Sequence, residues 1–539
     1  MKKLPIGIQS IREILEEDQV YVDKTKFALN LIKNGKHYFI SRPRRFGKSL
    51  FLSTLQEILS GNKKLFKECA IYNSEYDWEK HPIIYLDFSK IANRTPDQLE
   101  ASLKIRLEII AKEHDLSIIT TDIVVGFDTL ITELSNKYKS KVVVLVDEYD
   151  KPIIDQMHDL SIAQQNREVL KQFFGTLKGS DKNLKFTFIT GVSRFSQVSL
   201  FSGLNNLKNI TMDPRYAAVM GYTEKELKES FADYIQDIVK KRKEQGSIVA
   251  ANEVLGEVRT WYNGYRFTKS DTCVYNPFST LNYMDEQEVS SYWYSTGTPS
   301  FLINQVKKYP QSVTSLRGKA VLKSTLSDIS NLDRINLSAL MFQTGYLTIK
   351  GYNPEEDSYQ LNFPNQEVEQ AFFNSLLEEF AEIEPLTIRR AAKEIKQDLE
   401  LFNLGPFVTK INTHFAKVAY HLFNKAQEGF YQAIFFTFLE TSGIKTKAEM
   451  ATNIGRIDLV CEMPNTVCIF ELKLDKTADI AFKQAESKKY IERYSLDGKD
   501  IMVMGINFSS KFRNIGDWKG ILYSPEGKLI QEFLPKAGE

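Results

Sequence analysis

Nothing in the sequence resembles a membrane span or an export signal. Nowhere do about 18 consecutive apolar residues occur, and the start, MKKLPIGIQSIREILEEDQV, has lysines but no apolar run of signal-peptide length. A cytoplasmic protein with no membrane partner is therefore expected. Cysteine is scarce: Cys69, Cys273, Cys461 and Cys468 form no C-x-x-C pair, and the 6 histidines do not cluster with them. That excludes a disulfide framework and a zinc site of ordinary ligand spacing. Charge of one sign is missing too, since 70 Lys+Arg against 69 Asp+Glu leave a net charge of +1. Any nucleic-acid surface must then be a local patch. Internal repeats and low-complexity segments are also absent.

What is there is an ordinary globular composition, 42% hydrophobic and 26% charged, in 539 residues. Such a length exceeds one hydrophobic core and suggests roughly three or four units. Short apolar runs at HYFIS, IIYLDF, VVVLV and FTFI alternate with amphipathic stretches, the pattern of a buried, mainly parallel sheet with helices on both faces. This predicts an α/β domain over 1–219. A charged helical and aromatic-rich segment follows over 220–300. Residues 301–375 include two short helices and a hairpin between Leu326 and Phe363, an order that suits a winged helix or a plain packing module. A last unit, 376–539, carries helices, strands at Arg456–Glu462 and Val467–Leu474, a helix over Thr477–Tyr494 and a strand from Ile501.

Two places carry chemistry. At the first, a strand runs into Arg44, Arg45, Phe46, Gly47, Lys48 and Ser49 and then into a helix. Phosphate binding needs free N–H groups at a helix N-terminus, a turn to present them and a lysine for the outer phosphates. The first glycine of the standard loop is replaced by Arg42, and a bare G-K-S is a weak signal by itself. Its partner is stronger: about a hundred residues later VVVLV ends in Asp147 and Glu148. An ATPase needs one carboxylate there for Mg²⁺ and one to orient water. ATP and Mg²⁺ are the implied cofactors, with Ser49 and Asp147 at the metal and Glu148 catalytic. The plainer alternative makes Lys48 and Arg44 solvated charges and Asp147 a turn cap. Thr190, Ser193 and Arg194 are candidates for sensing or stabilising the γ-phosphate, or simply finish a strand.

At the second, IGRIDLVCEMPNTVCIFELKLD reads as a hairpin. With its turn at Pro464–Asn465, or over Met463–Thr466, Asp458 faces Glu471, and Lys473 shares their face. Both faces are largely apolar, so the hairpin lies inside a covered sheet, where paired carboxylates call for a cation. Mg²⁺ or Mn²⁺ on oxygen ligands fits, with Lys473 beside the scissile phosphate. Glu428 and Gln484, on flanking helices, are candidates to complete the site, with Lys488 on the face of Gln484. The alternative is a structural ion pair, Glu471 with Lys473 or Arg456 with Asp458.

These residues resemble a bacterial family of predicted ATPases in which an AAA-ATPase-like domain is fused to a PD-(D/E)xK nuclease-like domain. The resemblance covers nearly the whole chain. Its marks are YVDKT from Tyr21, SRPRRFGKS from Ser41, VDEYDKP from Val146, TGVSRFS from Thr190, WYNGYRF from Trp261, YNPFS from Tyr275, YWYSTGTPSFL from Tyr292 and FQTGYLTI from Phe342. Further on come EGFYQ from Glu428, GRIDLV from Gly455, FELK from Phe470 and the stretch Gln484–Tyr490. It implies a restriction-endonuclease-like α/β/α fold for the last unit, and makes arginine in place of the loop glycine usual. It also implies Lys48 and Ser49 for nucleotide, Asp147 and Glu148 for Mg²⁺ and hydrolysis, and Asp458, Glu471 and Lys473 for the nuclease core, with Glu428 and Gln484 at the flanking positions.

Three readings follow. In the first, nucleotide gates metal-dependent cleavage of nucleic acid, DNA ahead of RNA, in defence or mobile-element biology. In the second, nucleotide drives an interaction switch with a non-cleaving nuclease-like fold, and Trp261, Tyr262, Tyr265, Tyr292 and Trp293 either stack bases or form core. In the third, an ATPase carries C-terminal charges that are structural only. AAA-like ATPases often complete their site with a neighbour's arginine, which leaves room for a homo-oligomer.

Overall fold

A computed structural model describes residues 1–193, 206–295, 302–303, 305–306, 310–327, 336–381, 385–418, 420–423, 427–451, 455–495 and 497–535. The chain divides into two compact units, one of residues 1–297 with 320–368, the other of 298–319 with 369–539.

In the first unit, β1 (His37–Ser41), β2 (Ile83–Asp87), β3 (Val142–Asp147), β4 (Leu184–Gly191) and β5 (Lys208–Asn209) form one sheet in the order β2-β3-β4-β1-β5. All its pairings are parallel. Every residue of β1 and β3 is buried, which is why β3 reads as an apolar run up to Asp147 and β1 as a short apolar run between His37 and Ser41. Insertion of β4 between β1 and β3 leaves a crevice at their carboxyl ends. The helix Lys48–Leu59 buries Phe51, Leu52, Leu55, Ile58 and Leu59, giving the sheet one of its covers. Helices Glu224–Ser230, Ala232–Glu244, Ala251–Tyr262 and Pro277–Glu286 follow, around a core that includes Phe231, Ile238, Val258 and Tyr283. Beyond them, β6 (Lys319–Leu322), ahead of the short helices Lys323–Ser327 and Leu337–Thr344, joins β7 (Thr348–Asn353) and β8 (Ser358–Asn362), which follow them, in a small sheet of order β6-β8-β7. Of the two helices and hairpin expected between Leu326 and Phe363, the helix Leu337–Thr344 and the hairpin are found there, the helix Lys323–Ser327 lies almost wholly before that span, and 328–335 is outside the described residues.

In the second unit, β9 (Thr446–Ala451), β10 (Arg456–Glu462), β11 (Thr466–Leu474), β12 (Asp500–Ser509), β13 (Asn514–Tyr523) and β14 (Leu529–Phe533) form a sheet in the order β14-β13-β12-β11-β10-β9. Only β11 with β12 is parallel, and that crossover is made by the helix Ala478–Ser487. This helix packs Phe482 and Ala485 on one face with Ile457, Val460 and Ile469. On the other face, Phe407 and Phe435 from helices Leu404–Phe415 and Glu428–Thr441 pack against Phe470. The result is the α/β/α arrangement. Among the described residues no helix is long and apolar enough to cross a membrane.

Candidate nucleotide and nuclease sites

The basic loop leaves β1 directly. Arg45 (φ 64°) and Gly47 (φ 86°) take left-handed backbone, a conformation glycine adopts without steric cost. No side chain caps the helix Lys48–Leu59 that follows, so its leading N–H groups and its dipole face the loop, as an anion requires. The buried Lys48 ammonium donates to Arg42 O at 3.1 Å and Pro43 O at 3.0 Å. Burial lowers its pKa, while Asp147, Glu148 and Asp150 pull it back up. The ammonium is thus already held inward against the loop.

Asp147 ends β3 under this loop. Its Oδ2 accepts from Ser49 Oγ at 2.5 Å and its Oδ1 from Thr190 Oγ1 at 2.6 Å. Glu148 (φ 53°) is half-buried beside it, with its carboxyl pushed up by burial. Ser193 and Val192 donate their N–H groups to Asp150, and Ser193 Oγ also donates to it at 2.7 Å. Thr190 and Ser193 are therefore tied to carboxylates of the β3 end, and Arg194 lies outside the described residues.

Arg42, where the first loop glycine would stand, is 1% exposed. Its Nη1 donates to Ser41 O and Thr211 O, each at 2.9 Å, and its guanidinium lies 4.3 Å from the Phe267 ring. It is a strut inside the protein, and its charge is spent on carbonyls and a ring face. Phe46 also turns inward, with its ring 4.7 Å from Tyr265 and 5.5 Å from Phe267. The other loop residues border a cavity of about 370 Å³, whose polar side is Arg44, Arg45, Gly47, Lys48, Ser49, Glu148 and Asp150. Its apolar side is Pro5, Ile8, Tyr222, Pro277, Phe278 and Leu281. That apolar wall was missed in the sequence, although YNPFS holds two of its members. The volume and mixed lining suit a small ligand with an apolar and an anionic end.

The aromatics weighed as base-stacking groups are core instead. Tyr262 and Tyr265 have no exposed surface, and Trp293 and Tyr292 keep 6% and 8%. Rings so covered cannot stack on a nucleic-acid base, which corrects that part of the switch reading; Trp261 alone of the five is half-exposed.

The second site lies in the other unit, and its hairpin has the derived register. Leu459 pairs with Phe470, Val460 with Ile469 and Cys461 with Cys468, and the turn closes through Met463 N–H to Thr466 O at 2.9 Å. Asp458 and Glu471 accordingly sit at facing positions. Leu472 N–H donates to Asp458 Oδ2 at 2.7 Å, and Leu474 N–H to Glu428 Oε2 at 3.0 Å. Both flanking carboxylates are thus anchored to the backbone of β11. Glu471 is wholly buried; Lys473 Nζ reaches its Oε1 at 3.3 Å, and Gln484 Nε2 donates to the same oxygen. Its Oε2 is buried with no partner, which is costly unless something fills the gap. Burial raises the pKa of both Asp458 and Glu471, and the Asp458 charge adds to the rise at Glu471.

Glu428, Asp458, Glu471, Lys473 and Gln484 are therefore gathered around β11. Arg456 does not pair with Asp458; it reaches Glu449 at 3.1 Å. Glu449, on β9 beside Asp458, was missed by sequence reasoning; its neighbour Gln432 donates to it and to Asp458 O, both at 3.2 Å. Among the described residues no three His, Cys, Asp or Glu side chains stand together so as to hold a metal ion. The oxygen donors and the unpartnered Glu471 Oε2 nonetheless fit a hard divalent cation.

Comparison with known proteins matches the two stretches of chain in which these residues lie. The family described as "Predicted AAA-ATPase" matches residues 5–201, and the family "PD-(D/E)XK nuclease superfamily" matches 426–518. A curated relative, "Uncharacterized protein in vnfD 5'region" of Azotobacter chroococcum mcd 1, is 36% identical over 528 residues, covering 95% of this chain and 98% of its own. No solved structure matches. The chain belongs to the family of predicted AAA-ATPases that carry a C-terminal PD-(D/E)XK nuclease superfamily domain.

Proposed function

We propose that the first unit binds and hydrolyses ATP with Mg²⁺, and that the second cleaves nucleic-acid phosphodiesters, DNA ahead of RNA, with Mg²⁺ or Mn²⁺. The observation that carries the cleavage half is the buried, unpartnered Glu471 Oε2 beside Asp458 and Lys473. Asp458 and Glu471, with Glu428 at the flank, would hold the cation, and Gln484 and Lys473 orient Glu471 by donating to its Oε1. A bound divalent ion supplies Lewis-acid polarisation of the phosphate and a more acidic water. Lys473 adds positive charge where negative charge grows in the transition state.

In the first unit, Lys48 and the open helix N-terminus take the phosphates, and the wall of Pro5, Ile8, Phe278 and Leu281 takes the base. Ser49 and Asp147 would hold Mg²⁺, and Glu148 orients the attacking water. We read the protein as cytoplasmic, acting in defence or mobile-element biology, with a homo-oligomer as its working form. The test follows ATP turnover and cleavage of labelled DNA together in wild type and Lys48→Ala. Loss of turnover with altered cleavage is expected; unchanged turnover in Lys48→Ala would remove the ATP site.

A second reading has one observation behind it: Glu471 already bonds Lys473 and Gln484, as it would in a non-cleaving nuclease-like platform. It predicts salt-sensitive DNA binding with no metal-dependent cutting.

A further inference from the structure

One buried carboxyl group joins the two walls of the nucleotide cavity. Glu367, in the first turn of the helix Gln366–Ala381, has no exposed surface. Its Oε1 accepts the Trp293 N–H at 2.6 Å, and its Oε2 accepts from Ser279 Oγ at 2.8 Å. Ser279 belongs to the helix Pro277–Glu286, whose first turn supplies Pro277 and Phe278 to the apolar wall. Trp293 reaches the other side, where its indole Nε1 donates to the Arg44 carbonyl of the basic loop at 3.0 Å.

The loop is braced a second time from the same direction. Gly345 (φ 93°) is pressed against it so closely that a Cβ there would stand 2.7 Å from two carbons of Pro43. Next to it, the Tyr346 ring packs 5.3 Å from Trp293. A loop rich in glycine shapes itself around phosphate. This one carries Arg42-Pro43-Arg44-Arg45 in that place, so its shape is imposed by what packs behind it.

We propose that Trp293 and Glu367 are positioning residues for the nucleotide: they fix the separation of the basic loop from the apolar wall, so that phosphates and base engage together. The inference rests on reading this cavity as the ATP site. Removing the indole N–H frees the Arg44 carbonyl, and replacing the carboxyl releases both the indole segment and the wall helix. Neither residue lines the cavity, so the effect is expected in affinity and KM, with kcat little changed.

The test uses the full-length protein, with ATP and inorganic tripolyphosphate as ligands, in isothermal titration and intrinsic tryptophan fluorescence. Variants are Lys48→Ala, Trp293→Phe, Glu367→Ala and Glu367→Gln. Trp293→Phe is expected to weaken ATP about five- to tenfold, the worth of one hydrogen bond, and to weaken tripolyphosphate less. The fluorescence change that wild type gives with ATP should be lost in Trp293→Phe. Glu367→Gln, which keeps an acceptor for Trp293 and a group to pair with Ser279, should bind like wild type, whereas Glu367→Ala should not. Folded Trp293→Phe and Glu367→Ala proteins with wild-type ATP affinity would overturn the proposal, leaving the brace structural only. If wild type and Lys48→Ala bind ATP equally, or neither binds it, the nucleotide reading falls and takes the proposal with it.

Discussion

Replacing Glu367 by glutamine should stabilise the first unit increasingly as pH rises. Burial holds the Glu367 carboxyl at about 8, against an ordinary 4.5, and the bonds from Trp293 and Ser279 only partly offset it. Below the unfolded value both states are protonated and the group contributes nothing. Between about 4.5 and 8 the folded state keeps a proton that the unfolded state has lost, so stability falls with pH, by about 1.4 kcal/mol per unit. At pH 7 the accumulated cost is roughly 3 kcal/mol. Glutamine is a neutral isostere of the protonated acid and removes that cost, leaving an acceptor for the Trp293 N–H. The assay is thermal unfolding of wild type and Glu367→Gln at half-unit steps from pH 5 to 8. The melting temperature of the variant should pull ahead of wild type across that range. A gap that stays flat with pH, or a variant less stable throughout, would refute the buried neutral carboxyl.

Other outcomes follow from the same geometry. Arg317 donates to Glu440, Glu369 and Thr446 O inside the second unit. Arg317→Ala leaves buried Glu440 uncompensated and should cost about 3–5 kcal/mol, read by urea denaturation, while Arg317→Met with Glu440→Leu should cost less. Arg42→Ala strands the carbonyls of Ser41 and Thr211, so it should lower thermal stability by roughly 2–4 kcal/mol as well as weaken ATP binding; a variant with wild-type stability would contradict its role as an internal strut. Glu471→Gln removes a buried acid from the cation site and should abolish Mn²⁺ binding by titration calorimetry, with the fold retained by circular dichroism.

Much of this was legible because periodicity and turn chemistry agree. Pro464-Asn465 pins the hairpin, and the pairing of Cys461 with Cys468 then places Asp458 across from Glu471. β1 and β3 are buried along their whole length and announce themselves by the apolar runs at 38–40 and 142–146. The strands not foreseen lack both signals. β14, LIQEF, is exposed along nearly all its length; β9, TKAEMA, is short and polar; β13, NIGDWKGILY, is interrupted by two glycines. β5 is two residues long. Arg42 could be read only as the residue in place of the first loop glycine, because sequence spacing cannot show that Thr211 and Phe267, so far along the chain, meet it. The apolar wall was hidden for the same reason, since Pro5, Tyr222 and Phe278 come together only in the fold.

Cleavage by wild type and Asp458→Ala, purified side by side, tests the central claim most directly. Labelled single- and double-stranded DNA and RNA are incubated with Mg²⁺ or Mn²⁺, with and without ATP. Metal-dependent cutting that disappears in Asp458→Ala is the predicted result. Cutting that persists in that variant, or none by wild type on any substrate, would contradict the assignment of Asp458, Glu471 and Lys473 as a nuclease site.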